Sequence, residues 1–348
     1  MKKVAFRNIC AIIFIYLALA DGQGQPNPRQ FSAFQAIIPD VSYWSYGNND
    51  HGQLFWQRLF PNSCAGRFQS PVDIATSRTI YNTDLKEFAI FYDPPLLGSK
   101  FEVHNNGHTV EVNTVGDFYV TNGGLQNLYK TAQFHFHWGS NNGRGSEHTV
   151  DGERAPIEMH IVNWNRDKYN SPDEAGTHPD GLAVFSILFR IAKEDNPALE
   201  PIIRVLPKVR DPDDHVLVTI PAVSIKEFLP NSPDRYFRYS GSLTTPNCSE
   251  TVIWTVFEQK QYISERQLHY FRQMLASSLH LETREHRQSI QGQLQQSQGR
   301  EWRTLLTDNY RPVHDLHGRT VYRSFRSLAP QSDENCNVNI ALDVKLHV

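Results

Sequence analysis

Three histidines supply the residue types and spacing from which metal chemistry can be built: His135, His137 and His160. The first two fall in Gln133-Phe134-His135-Phe136-His137-Trp138, where polar and aromatic residues alternate as they do in a strand. Side chains on a strand repeat every second residue, so both imidazoles project from one face, close enough to hold one ion. His160 lies in a second alternating run, Ile157-Glu158-Met159-His160-Ile161-Val162, and a paired neighbouring strand would bring it to the same ion. Three neutral imidazoles with a fourth position open make a catalytic rather than a structural zinc site. Nitrogen donors favour Zn2+ over calcium or magnesium. The chain has no His-Glu-x-x-His helix, so a zinc peptidase fits poorly.

The elements that must position these residues are mostly short strands. From about Tyr43 to Phe325, strand patterns such as Phe101-Glu102-Val103, Thr109-Val110-Glu111-Val112 and Phe118-Tyr119-Val120 are separated by Gly, Pro and Asn clusters. Gly181 to Ile191 is nearly all apolar and predicts a strand buried on both faces. The clearest helix starts at Ser264, where Ser264 and Gln267 form a capping box and Leu268, Phe271 and Leu275 share a face. The expected fold is therefore α+β and strand-dominated. It is a single domain over residues 40–326, with a large central, mostly antiparallel twisted β-sheet and short peripheral helices. A run dense in Gln, Arg, Glu and His, about 280–300, predicts a solvated insertion.

Charge and targeting signals narrow the setting. Hydrophobic residues make up 39% and charged residues 20% of the 348, which excludes a disordered chain and a membrane bundle. Residues 1–20 combine a basic start with a short apolar run ending Ala18-Leu19-Ala20, the pattern of a signal peptide. Its removal takes three positive charges and shifts the formal net charge from −3 to −6, giving no reason to expect nucleic acid as a partner. Residues 21–39 form a polar leader. The tail, 327–348, lacks the hydrophobic run of a lipid anchor, so a secreted protein with no membrane anchor is expected. Cys10 leaves with the signal. Cys64, Cys248 and Cys336 then face an oxidising compartment, where two should pair and the third is spare or joins two chains as a homodimer.

Several separated motifs resemble the alpha-carbonic anhydrase family. Gln133-Phe134-His135-Phe136-His137-Trp138-Gly139, Gly145-Ser146-Glu147-His148 and Glu158-Met159-His160 carry the likeness most closely. Tyr43-Trp44-Ser45-Tyr46-Gly47, Gln69-Ser70-Pro71-Val72-Asp73-Ile74 and Asn105-Asn106-Gly107-His108 extend it towards the start. Gly241-Ser242-Leu243-Thr244-Thr245-Pro246 and Asp308-Asn309-Tyr310-Arg311-Pro312 extend it towards the end. The resemblance implies reversible hydration of carbon dioxide to bicarbonate and a proton, through a zinc-bound hydroxide. The bound water's pKa of about 7 belongs to carbonic anhydrase as the known case of this effect.

It also implies roles for individual residues. Gln133, the Asn309 carbonyl and Glu158 would orient His135, His137 and His160 respectively. Thr244 would accept from the hydroxide and donate to an ionised Glu147. Val162, Val184, Leu243, Val252 and Trp254 would form the apolar wall for carbon dioxide, with Thr245 on the polar side. His108 would shuttle the proton, with Tyr46 and Asn106 ordering water between. Glu111 stands where fast members commonly carry a neutral residue, and its carboxylate would raise the shuttle's pKa or disturb the water chain. Cys64 and Cys248 resemble the disulfide of secreted members, which leaves Cys336 for a covalent homodimer. The alternative in this family is a non-catalytic extracellular binding module. Those typically replace one of the ligand histidines, whereas this chain keeps all three.

Overall fold

Alternation of apolar and polar residues draws the chain into strands that present one face to a core and the other to a mixed set of polar and apolar side chains. The computed structural model describes residues 44–47, 49–92, 98–277 and 304–326. The signal, the leader, the 280–300 insertion and the tail with Cys336 lie outside the described residues. In chain order the strands begin with β1 (Asp73–Ile74), β2 (Ile80–Tyr81), β3 (Phe88–Tyr92), β4 (Lys100–Asn105) and β5 (Val110–Val115). They continue with β6 (Phe118–Asn122), β7 (Leu125–Trp138), β8 (Thr149–Val150), β9 (Ile157–Asn165) and β10 (Leu182–Ala192). The last are β11 (Leu217–Pro221), β12 (Tyr236–Gly241), β13 (Val252–Phe257), β14 (Gln261–Ser264) and β15 (Tyr322–Arg323).

Thirteen of these form one sheet with the central order β11-β4-β5-β7-β9-β10-β13-β12-β15-β2; β1 and β8 pair separately. The sheet is mixed: β10 runs parallel to β13 and β14, and β15 to β2. Through β4, β5, β7, β9 and β10 every pairing is antiparallel. The expected strand-dominated fold with short helices is what the chain adopts, and Glu265–Arg272 is the longest helix among the described residues. Ser264 caps it reciprocally with Gln267, and Leu268 and Phe271 are buried beneath it. Among the described residues no helix is long and apolar enough to cross a membrane.

Burial fixes which residues share the face that carries the three histidines. Phe134 and Phe136 of β7, Met159 and Ile161 of β9, and Phe185 and Ile187 of β10 all enter one core cluster. Each such side chain is worth about 1.5–3 kcal/mol on burial, so a one-residue slip that turned them outward would be strongly unfavourable. The residues between them must therefore face the other way. A bulge between Thr131 and Gln133 sets the upper half of β7 against β9 so that His135 lies opposite His160 and His137 opposite Glu158. The register continues sideways. His104 lies opposite Glu111, Glu111 opposite His135, and His160 opposite Ser186, a single row across five strands.

Candidate metal centre

His135, His137 and His160 converge as the strand spacing predicts, and their candidate ligand atoms all lie within 4.8 Å of one another. Each ring has a second nitrogen already engaged. His135 Nδ1 donates to Gln133 Oε1 at 2.9 Å, and His137 Nδ1 to the Asn309 carbonyl at 2.8 Å. His160 Nε2 donates to Glu158 Oε1 at 2.7 Å. These partners accept, so the remaining nitrogens carry lone pairs. His137 Nε2 and His160 Nδ1 are 3.1 Å apart, two lone pairs facing each other with no proton between them. A cation in their midst relieves that repulsion. Two bonds of about 2.0–2.1 Å at a tetrahedral angle would place the nitrogens roughly 3.3 Å apart, close to what the fold provides. The donor set thus fits zinc.

Electrostatics support the same protonation states. Burial holds His135 well below the ordinary imidazole range, and the neighbouring His137 and His160 push the same way. Burial takes His137 down to about 4, and it lowers His160 against the opposing pull of Glu158. All three are therefore neutral at pH 7, as metal ligands must be. Burial by itself would raise Glu158, but His148 and His160 outweigh it and hold the carboxyl well below its usual value. Glu158 accepts from the backbone N–H of Glu147 and of His148, from His148 Nδ1, and from Ser186 Oγ at 2.6 Å, besides His160.

Glu147 is fully buried between the ligands and the loop after β12. Its Oε1 accepts from the Arg311 backbone N–H at 2.7 Å, while Oε2 is buried without a hydrogen bond of good geometry. Burial raises its pKa to about 7; His160 and the Thr244 hydroxyl act in the opposite direction. Glu147 Oε1 and Oε2 stand 3.5 Å from His137 Nδ1 and 3.9 Å from His160 Nδ1. A dication held by those rings would favour the ionised carboxylate. Thr244 is itself buried, on a loop tied down by the Cys64–Cys248 disulfide. Within that loop Cys248 N–H bonds to the Thr245 carbonyl at 2.6 Å, and Leu243 N–H to Ser249 at 2.9 Å.

An apolar surface borders this group. Val184, Val252 and Trp254 are buried in a second cluster, with Val162 and Leu243 partly exposed against it. The Trp254 ring lies 4.8 Å from that of His160. Thr245 is partly exposed beside Thr244.

On the opposite side, His108 sits in the turn between β4 and β5. The Asn106 side-chain oxygen accepts from the N–H groups of His108 and Thr109, each at 3.0 Å. Asn309 Nδ2 donates to the His108 carbonyl at 3.0 Å. Tyr46 is 6.5 Å from the His108 ring, centre to centre, and burial raises its phenol well above the ordinary value. Trp44 stacks flat on His108, with ring centres 3.7 Å apart. Trp44, the Arg311 N–H and His148 carry contacts at this site that the sequence does not announce. Trp44 and the Arg311 N–H meet their partners across long stretches of chain, and His148 reaches Glu158 only through the turn between β8 and β9.

The sequence profile of eukaryotic-type carbonic anhydrase matches residues 51–325. "Carbonic anhydrase 7" of Mus musculus is 37% identical over 287 residues, covering 82% of this chain and 98% of the relative. "Carbonic anhydrase 12" of Homo sapiens is 33% identical over 306 residues, 88% of this chain and 79% of the relative. "Carbonic anhydrase 1" of Mus musculus is 34% identical over 282 residues, 81% and 98%.

Proposed function

The chain belongs to the eukaryotic-type carbonic anhydrase family and is a carbonate dehydratase, and on that premise we propose a secreted, catalytically intact zinc enzyme. The observation that carries the reading is the convergence of three neutral imidazole lone pairs, each with its other nitrogen engaged. Zinc held there supplies a Lewis acid that acidifies water to a pKa of about 7, the value for which carbonic anhydrase is itself the known case.

The chain's own groups do the rest. With Oε1 engaged by the Arg311 N–H, Glu147 keeps Oε2 for the Thr244 hydroxyl. A threonine that donates its proton to a carboxylate has lone pairs left to accept from the attacking water. That acceptance turns the water's reactive lone pair towards the apolar wall of Val162, Val184, Leu243, Val252 and Trp254. Carbon dioxide has neither charge nor donor, so an apolar wall suits it. Bicarbonate, which has both, leaves past Thr245. His108 carries the proton outward, an imidazole being able to take and give it near pH 7. Secretion agrees with the Cys64–Cys248 bond, since disulfides persist in oxidising compartments. With all three histidines present, the binding-module alternative is not favoured.

The test is stopped-flow carbon dioxide hydration on the mature protein, with zinc measured on the same sample and His137→Ala as control. Hydration at one zinc per chain, abolished in the variant, is the expected result. A zinc-loaded protein without activity, or activity that survives His137→Ala, would overturn the reading.

A further inference from the structure

The His108 turn is held from one more point. Asn106 Nδ2 donates to Glu111 Oε2 at 3.1 Å, and Glu111 Oε1 faces His104 Nε2 at 3.8 Å across the β4–β5 pair. Asn106 is exposed, so nothing packs its side chain in place. Its oxygen is committed to the N–H groups of His108 and Thr109, and its own backbone N–H bonds to the Thr109 carbonyl at 3.1 Å. The amide plane is rigid, so a fixed Nδ2 fixes Oδ1 as well. Glu111 stands on a strand, one residue beyond Val110 at the end of the turn, where the sheet sets its position.

We infer that Glu111 is a positioning residue: it anchors the Asn106 carboxamide and thereby the turn that carries His108. The inference rests on His108 being the proton carrier. Glu111 acts through Asn106, touching neither substrate nor metal. Removing the anchor leaves the hydration step intact and slows only the delivery of protons. A misplacement of roughly 1 Å can cost up to about a hundredfold in a step that needs alignment. Here the turn keeps its backbone bonds, so a loss of about tenfold is expected.

Oxygen-18 exchange between carbon dioxide and water, measured on the zinc-loaded enzyme, separates the two steps. It yields the rate of carbon dioxide–bicarbonate interconversion and, independently, the proton-dependent release of labelled water. Glu111→Ala should slow water release by about tenfold and leave interconversion within about twofold. Glu111→Gln, which keeps an acceptor for Asn106, should retain more than half of the release rate. In an Asn106→Ala background, Glu111→Ala should have no further effect, as expected for two residues in one chain of contacts. Three results would each overturn the inference: unchanged release in Glu111→Ala, equal losses in the Ala and Gln variants, or additive losses with Asn106→Ala. His108→Ala in the same assay isolates the premise. If it leaves water release unchanged, the shuttle assignment fails rather than the anchor.

Discussion

The histidine cluster and the His108 turn, joined through Asn309, are built under different constraints. On the ligand side, His137, His148, Glu158 and His160 are buried, and Glu158 alone receives hydrogen bonds from two backbone N–H groups, two imidazoles and a serine. Every one of those donors except the Glu147–His148 loop stands on a strand whose register is set by the core. On the proton side, His108 and Asn106 occupy a turn, held by carboxamides, a stacked indole and one carboxylate. Asn309 is the shared member: its carbonyl orients His137, while its amide reaches the His108 carbonyl. The contrast teaches where the fold places its rigidity. On the proposed reading, metal geometry tolerates little error and is fixed by the sheet, whereas proton delivery falls to a turn held by side chains.

The comparison can be broken most severely on the ligand side. Glu158→Ala leaves two buried imidazoles and Ser186 without their acceptor, and should cost about 3–5 kcal/mol of stability in urea denaturation. A loss below about 1 kcal/mol would show that the network does not hold this side together. A second test uses pH on chelated protein. His137 is held at about 4 when folded, against an ordinary 6.5, so below pH 6.5 the unfolded chain binds the proton first. Its contribution is complete above 6.5 and is lost as the pH falls towards 4. Glu147 works in the opposite direction: its folded value of about 7 exceeds 4.5, so acidification through that window favours the fold. In Glu147→Gln only the imidazole effect remains. Stability should then fall by about 2 kcal/mol for His137 alone between pH 6.5 and 5, with His135, His160 and His314, itself held at about 4 by burial, adding to it. A flat profile in that variant would mean that burial does not keep the rings neutral. The smallest effect belongs to the proton side. Trp44→Ala removes a stacked contact worth roughly 0.5–1.5 kcal/mol and should slow labelled-water release by about threefold, with interconversion unchanged. An equal fall in both rates would place Trp44 in the framework of the site instead.

Legibility in the sequence followed the same division. The period of two around His135 and His137, and the alternation around His160, marked the ligand face directly, because burial of the intervening aromatic and aliphatic residues leaves no other orientation. The capping box at Ser264 and the apolar run of β10 were equally local. Pairings between distant segments were not readable from the residues themselves. Three cysteines left the disulfide undetermined, and only resemblance pointed to Cys64 and Cys248. Trp44 over His108 depends on where the segment at Trp44 meets the β4–β5 turn, and the Arg311 N–H meets Glu147 across 164 residues. Glu111 stands out in the sequence only as a charge where the resemblance implies a neutral residue. That it grips Asn106 became visible only in the hairpin's geometry.

The row of Ser186, His160, His135, Glu111 and His104 across β10, β9, β7, β5 and β4 has one more consequence. Because a shift of one residue turns a strand's side chains to the opposite face, a chain mispaired between β7 and β9 cannot bring three imidazoles together. On the proposed zinc reading, metal uptake therefore proofreads the sheet. In a refolding mixture, the fraction of chains that withholds zinc from a chelator measures the fraction whose strands have found their correct neighbours.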